Sequence, residues 1–147
     1  MDNVEIAIEK ESHDNIDPSY SLKITTNGTV EFKGTANVKN GGKHTLKISQ
    51  DLVAEIVDKF NMIYFFSLKD KYLAMGCPGS QETKTVISAQ VGDKFKKIEY
   101  SKNGRAPHSL DSLVSQVEKI TKIDQFMPSQ WKKKVYNDCL FLIYRQK

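Results

Sequence analysis

Residues 20–34, YSLKITTNGTVEFKG, contain two runs of strand-forming residues on either side of the turn sequence TNG at positions 26–28. Two hairpin turns are compatible with this stretch. A two-residue Asn-Gly turn would pair Ile24 with Glu31, and it would mix apolar and charged side chains on each face. A three-residue loop shifts the pairing by one residue and sets Ile24 opposite Val30 instead.

The three-residue loop is the turn that separates apolar from charged side chains. It places Leu22 opposite Phe32 on one face and Lys23 opposite Glu31 on the other. Because side chains alternate along a strand, only this register gives one face for a core and one for solvent. We therefore predict a hairpin with a bulge, in which Gly28 has a left-handed conformation.

The composition is that of one soluble globular domain. The chain has 147 residues, of which 39% are hydrophobic and 27% are charged. No apolar run approaches the ~18 residues of a membrane helix, and the start MDNVEIAIEKES has no secretory-signal pattern. The two cysteines, Cys77 and Cys139, lie far apart, and we expect them to be reduced. These features predict a cytoplasmic protein that does not bind membranes.

Periodicity predicts the remaining elements. Apolar residues alternate at positions 4–8 and 46–48, as in half-buried strands. A second hairpin turns at Gly92-Asp93, which sets Ile87 opposite Ile98 and Thr85 opposite Tyr100 and leaves Phe95 on the opposite face. Ser49 is placed to cap an amphipathic helix that runs to Phe60, followed by an aromatic patch, Tyr64, Phe65, Phe66 and Leu68, that we expect to pack in the core.

A second helix is predicted after residue 106. Pro107 fits its first helical position, and apolar residues then recur at helical spacing from Leu110 to Ile120. Glu118 and Lys122 have the spacing of a solvent-exposed i,i+4 ion pair.

The order β-β-β-β-α-β-β-α predicts a two-layer α+β fold, with an antiparallel sheet of about six strands and two helices packed on one face. Residues 1–127 form a single domain in this interpretation. Residues 128–147 form a basic and apolar C-terminal extension, for which strand and helix both stay open, with strand preferred. Because residues 140–143 (LFLI) are too apolar to remain in water, we expect the extension to dock on the domain or on a second subunit.

Four short motifs accompany this order of elements. They are PSYS at 18–21, NGTV at 27–30, IS at 48–49 and FSLKDKY at 66–72. Together they resemble a prokaryotic family known as a domain of unknown function, number six-four-three-eight, over residues 4–123. The resemblance implies the same fold, and it implies no particular activity.

The chain departs from this family at one place. The family pattern has two cysteines, four positions apart, before Pro-x-Tyr, whereas this chain has His13 and Asp17 there. A disulfide at this place is therefore impossible in this chain. His13 and Asp17 could supply one nitrogen and one oxygen ligand to a metal, but so few ligands on a loop do not make a tight site. We predict no metal and no cofactor.

The motifs of common catalytic sites are absent from the sequence, including the P-loop, GxSxG, HExxH and the dinucleotide fingerprint. Residues 73–82, LAMGCPGSQE, form a long aperiodic stretch in which Cys77 could act as a nucleophile with a histidine. A solvent-facing thiol is the simpler interpretation. A small enzyme that uses this loop is therefore the third of three hypotheses.

The first hypothesis is a non-catalytic interaction module for a protein or a ligand, because every recognisable motif forms the fold. Its partner would be another protein or a second copy that meets the C-terminal extension, and we assign to the interaction surface Cys77, Trp131, Lys132, Lys133, Lys134 and Tyr136. The second hypothesis is nucleic-acid binding by this extension, through charge and stacking. It is not favoured, because residues 129–147 hold five basic residues and one acid while the basic and acidic residues before them balance.

Overall fold

The computed structural model of the protein describes residues 3–12, 17–39, 41–73, 83–102 and 104–127. These ranges form one sheet, two α-helices and two short 3-10 turns. The strands are β1 (Val4–Glu11), β2 (Ser19–Thr25), β3 (Thr29–Ala36), β4 (Gly42–Lys47), β5 (Lys71–Tyr72), β6 (Lys84–Val91) and β7 (Lys94–Ser101). The helices are α1 (Gln50–Met62) and α2 (His108–Thr121), and the 3-10 turns are Phe65–Ser67 and Ile123–Phe126.

The sheet has the strand order β4-β3-β2-β1-β6-β7-β5. All neighbours are antiparallel except β5, which pairs in parallel with β7. The predicted α+β fold with an antiparallel sheet and two helices is confirmed. The short strand β5 was not predicted, because two residues are too few to show a periodic pattern.

The first hairpin has the predicted register. Leu22 lies opposite Phe32 and Lys23 opposite Glu31. Gly28 has a φ of 89°, and its N–H donates to the carbonyl oxygen of Thr25 at 2.9 Å. The positive φ confirms the bulged three-residue loop.

The second hairpin also has its predicted pairs, Ile87 with Ile98 and Thr85 with Tyr100. Phe95 lies on the face opposite these residues and is 60% exposed. The mismatch expected from the alternation is therefore present in the fold, and it leaves a large aromatic ring in solvent.

Helix α1 begins at a side-chain cap and buries one face. The Ser49 hydroxyl accepts a hydrogen bond from the Leu52 N–H at 3.2 Å, and Val53, Ile56 and Phe60 are buried. The aromatic patch after α1 is predicted only in part. Phe65 packs edge-on against Phe60, with ring centroids 4.8 Å apart, and Phe66 and Leu68 are half-buried.

Tyr64 departs from that prediction. It has a left-handed backbone, with a φ of 55°, and is 76% exposed. The reversal of the chain after α1 turns this side chain away from the core. Tyr64 therefore does not pack in the core, although core packing was predicted for the whole aromatic patch.

Helix α2 differs from its sequence prediction in two details. Pro107 has an extended ψ of 140° and is the N-cap residue, so the helix begins one position later, at His108. Glu118 does not pair with Lys122 in solvent. It is 2% exposed beneath the helix, whereas Lys122 is left-handed and ends α2. Within the described ranges, no helix is long and apolar enough to cross a membrane.

Both helices pack on the same face of the sheet. Two hydrogen bonds show the path of α2 over the sheet. Asp111 accepts from the Tyr100 hydroxyl on β7, and Glu118 accepts from the Tyr20 hydroxyl on β2. Beyond the helix, the Phe126 ring stacks on His44 of β4. Helix α2 therefore crosses the strands from the β7 side to the β4 side. The core lies under the two helices and includes the fully buried residues Ile6, Ile8, Leu22, Ile24, Phe32, Ile56, Phe60, Ile87 and Ile98.

Candidate functional site

Most of the site residues predicted from the sequence lie outside the described part of the chain. His13 falls in residues 13–16 and Cys77 in residues 74–82, and the tail group (Trp131, Lys132, Lys133, Lys134 and Tyr136) falls in residues 128–147. The hypotheses that depend on the Cys77 thiol and on the tail therefore stay predictions.

Asp17 is the predicted candidate that the structure does describe. It is 2% exposed, and its Oδ2 accepts a hydrogen bond from the Thr83 hydroxyl at 2.5 Å. Its backbone oxygen accepts from the Asn37 side-chain amide at 2.9 Å. No group of three or more His, Cys, Asp or Glu side chains is placed to hold a metal among the described residues. The contacts of Asp17 connect the start of β2 to the residue before β6 and to the end of β3.

A cluster of ionisable side chains lies under α2 at the same end of the sheet. This polar cluster consists of Lys10, Tyr20, Tyr100, Asp111 and Glu118. Cross-strand register brings Lys10, Tyr20 and Tyr100 close together. Lys10 on β1 lies opposite Tyr20 on β2 and, at its other edge, opposite Thr85 on β6. Thr85 in turn lies opposite Tyr100 on β7. The two carboxylates are seven residues apart on α2, which is about two helical turns.

Glu118 is the centre of the polar cluster. The Tyr20 hydroxyl donates to its Oε2 at 2.5 Å, and the Lys10 Nζ lies 3.4 Å from the same oxygen. Tyr100 donates to Asp111 Oδ1 at 2.8 Å. A carboxylate removed from water is costly unless charge and hydrogen bonds compensate for the lost hydration. Lys10 and Tyr20 supply that compensation for Glu118.

Both tyrosines of the polar cluster keep their protons more tightly than a free phenol. Burial, followed by the negative charge of Glu118, raises the pKa of Tyr20 well above its ordinary value. Burial and then the charge of Asp111 raise the pKa of Tyr100 in the same way. A protonated phenol can donate to a carboxylate, but it is not a base at neutral pH. Hydrogen bonds from Tyr20 to Glu118 and from Tyr100 to Asp111 join the sheet to α2, so these contacts help to hold α2 on the sheet.

The raised tyrosine pKa values predict a loss of stability at alkaline pH. In the unfolded chain these phenols ionise near pH ~10, whereas in the folded protein they ionise only at higher pH. Stability is therefore complete below pH ~10 and falls as the pH rises towards the folded-state pKa, by up to about 1.4 kcal/mol per pH unit for each tyrosine. Urea unfolding between pH 8 and 11 measures this slope. Tyr20→Phe should make the slope shallower, and equal slopes in the two proteins would contradict the prediction.

The second candidate is the open face, by which we mean the surface of the sheet opposite α1 and α2. Among the described residues, no helix covers it. Small side chains form its centre. Ala7 on β1 lies opposite Ser88 on β6, and a third small residue, Ser21 on β2, lies opposite Glu9 of β1. A depression of about 460 Å³ lies over β1, β6 and β7, between Ala7, Val86 and Phe95. A second depression, of about 370 Å³, extends from Ala7 over β2, β3 and β4.

Charges of both signs surround these depressions. Glutamates project from the central strand β1, and lysines project from the strands on either side of it. The charged residues of the open face are Glu5, Glu9, Glu11, Lys23, Glu31, Lys33, Lys43, Lys84, Lys97 and Glu99. The Lys23 Nζ lies 3.0 Å from the Glu5 Oε1, and its hydrogen bond to this carboxylate raises the pKa of Lys23. Such an exposed ion pair adds little to stability.

Sequence reasoning found neither the polar cluster nor the depressions. The alternation of β1 and β6 contains the signal for the open face, since Ala7 and Ser88 are small residues at polar-face positions. No comparable signal exists for Glu118, which has the spacing of an exposed helix residue.

A family model described as a domain of unknown function (DUF6438) matches residues 6–121, which include every strand and all of α1 and α2 except the first two residues of β1. No curated protein matches the chain.

Proposed function

Because this chain belongs to the DUF6438 family, a domain of unknown function, we propose its function from geometry: it is a non-catalytic interaction module that binds a protein partner on the open face of its sheet. The observation that carries the proposal is the arrangement of the two layers. Both helices cover one face, and the other face has a centre of small side chains with an exposed Phe95 at its edge.

The shape of the open face supports a protein partner. The two depressions share Ala7, so they form one broad and shallow surface across the sheet instead of an enclosed pocket. Small-molecule sites are usually deep enough to surround most of the ligand. A protein partner can place apolar side chains over Ala7 and Val86 while its charges meet the glutamates and lysines around them.

The charge of the open face supports the same conclusion. Nucleic-acid surfaces are mostly of one sign, with lysine and arginine grouped along a stripe and aromatic rings between them. Here glutamates alternate with lysines, and Phe95 is the large aromatic side chain that the described part of this face exposes.

We also propose a cytoplasmic location, where two cysteines as far apart as Cys77 and Cys139 stay reduced.

A capture experiment with matched variants tests the proposal. Wild-type protein, Ser88→Arg and Glu55→Arg serve as baits in a lysate of the native cell, and mass spectrometry identifies the captured proteins. Ser88→Arg fills the centre of the open face, whereas Glu55→Arg places the same side chain on the exposed surface of α1. We expect one partner to be captured by wild type and Glu55→Arg, and to be lost at least tenfold with Ser88→Arg.

The purified partner and a thermal melt of each bait complete the test. All three baits should melt as folded proteins, and the affinity for the purified partner should follow the capture result. A partner retained by Ser88→Arg but lost by Glu55→Arg would place binding on the helical layer and refute the proposal. Salt-dependent binding of single-stranded nucleic acid, with no protein captured, would favour the tail hypothesis instead.

A further inference from the structure

The described chain ends beside the edge strand β4. After α2, the turn Ile123–Phe126 brings the Phe126 ring onto His44 of β4, with ring centroids 4.3 Å apart. The backbone oxygen of Phe126 accepts a hydrogen bond from the Lys39 N–H at 2.6 Å, and Met127 is 4% exposed. The described chain therefore ends at Met127, next to β4 and on the side of the sheet that the helices cover.

Strand β4 has one unoccupied edge in the described part of the chain. It is the first strand in the order of the sheet, and its six residues pair with β3 in unbroken register. The Ile48 N–H donates to Gly28 at 2.8 Å, which makes this a hydrogen-bonded pair. Because such pairs alternate along an antiparallel ladder, the N–H and C=O of Leu46 face β3, and those of Thr45 face away from it.

The tail contains a segment that suits this edge. Residues 139–144, CLFLIY, form an unbroken apolar run rich in strand-forming side chains. About twelve residues separate it from Met127, and an extended chain of that length spans roughly 40 Å. That is about twice the length of a six-residue strand. The tail is therefore long enough to return along β4 in either direction.

We propose that residues 139–144 add to the free edge of β4 as a further strand of the same chain. The added strand hydrogen-bonds to the outward backbone groups of Thr45 and of its neighbours Lys43 and Lys47. Its side chains on the helix side cover the half-buried Leu46 and His44. The pairing removes both an open strand edge and an apolar segment from water, and each of these promotes aggregation when it is exposed.

Amide hydrogen exchange of the full-length protein, followed by NMR, tests this pairing. The Thr45 amide reports the free edge, and the Leu46 amide, which faces β3, is the internal control. The double variant Phe141→Asp/Ile143→Asp removes the apolar segment, and Phe141→Leu/Ile143→Val is its conservative match. We expect Thr45 to exchange at least tenfold faster in the aspartate variant than in wild type or the conservative variant, while Leu46 is unchanged.

Two results would overturn the proposal. Equal exchange of Thr45 in wild type and in the aspartate variant, with residues 139–144 exchanging at free-chain rates, would show that the tail does not pair with β4. Protection of Thr45 that falls on dilution, with a dimeric mass in light scattering, would assign the added strand to a second copy. Both results are independent of Ser88 and of the open face, so they leave the proposed function untouched.

Discussion

Gly28→Val should lower the free energy of unfolding by about 2–5 kcal/mol, for two separate reasons. Valine resists the positive φ of 89° at this position, and a left-handed backbone costs a residue with a Cβ about 1–2 kcal/mol. A Cβ at Gly28 would also lie against the carbonyl oxygen of Ile48, well inside van der Waals contact. Because that atom belongs to the backbone, relief requires the chain between β4 and α1 to move, at a further cost of about 1–3 kcal/mol.

Gly42 provides the control that separates the two reasons. Its φ of 87° matches that of Gly28, and a Cβ there would meet no atom within 4 Å. Gly42→Val should therefore show the conformational cost alone. Urea denaturation of both variants measures the difference. If Gly28→Val destabilises the protein no more than Gly42→Val, the close approach to Ile48 has no energetic consequence and the prediction is wrong.

Glu118→Ala should lower the free energy of unfolding by about 3 kcal/mol. We expect this to be the largest effect of any single change at the α2 positions that the sequence pattern predicts to be exposed. The substitution removes the acceptor of the buried Tyr20 hydroxyl and takes away one ion-pair partner of the Lys10 ammonium. Breaking a buried charge pair by removing one partner costs about 3–5 kcal/mol. We take the lower end because the Lys10 side chain remains 16% exposed and is partly hydrated.

Asp111→Ala is the matched control for Glu118→Ala. Asp111 also accepts a hydrogen bond from a buried tyrosine, Tyr100, but Asp111 itself is exposed, so water can replace part of its role. We expect Asp111→Ala to lower the free energy of unfolding by about 1 kcal/mol.

A double-mutant cycle measures the interaction between Tyr20 and Glu118. Chemical denaturation of Tyr20→Phe, Glu118→Ala and the double variant gives their coupling energy, which should be about 1.5–3 kcal/mol. A coupling near zero would mean that the short contact between the two side chains does not stabilise the fold.

The features that follow from local patterns were predictable from the sequence. The register of the first hairpin depends on the alternation of Leu22, Lys23 and Ile24 and on one glycine, all within a few residues of each other. The helix caps and apolar stripes are equally local, and Ser49 is where the pattern places it. In each case the same few side chains decide the local conformation and the buried face.

The features that depend on distant partners were not predictable. Glu118 has the sequence spacing of an exposed helix residue, and its partner Tyr20 lies 98 positions away. Nothing near Glu118 in the sequence indicates that the start of β2 will lie beneath it. Tyr64 was expected in the core because it belongs to an aromatic run, but the left-handed turn after α1 directs it to solvent. For the open face, alternation predicts which side chains project, whereas its two depressions depend on how six strands align.

The position of β1 in the sheet has a consequence for the order of folding. β1 pairs on one side with β2, a neighbour in sequence, and on the other side with β6, whose residues lie about eighty positions later. Loop closure over that distance is slow compared with the formation of a local hairpin. On the ribosome, β1 to β4 can associate before β6 has been made, and the second edge of β1 is then exposed to other chains until β6 and β7 arrive. When two copies meet at this edge, the glutamates of each β1, Glu5, Glu9 and Glu11, face like charges, and this repulsion disfavours pairing between copies.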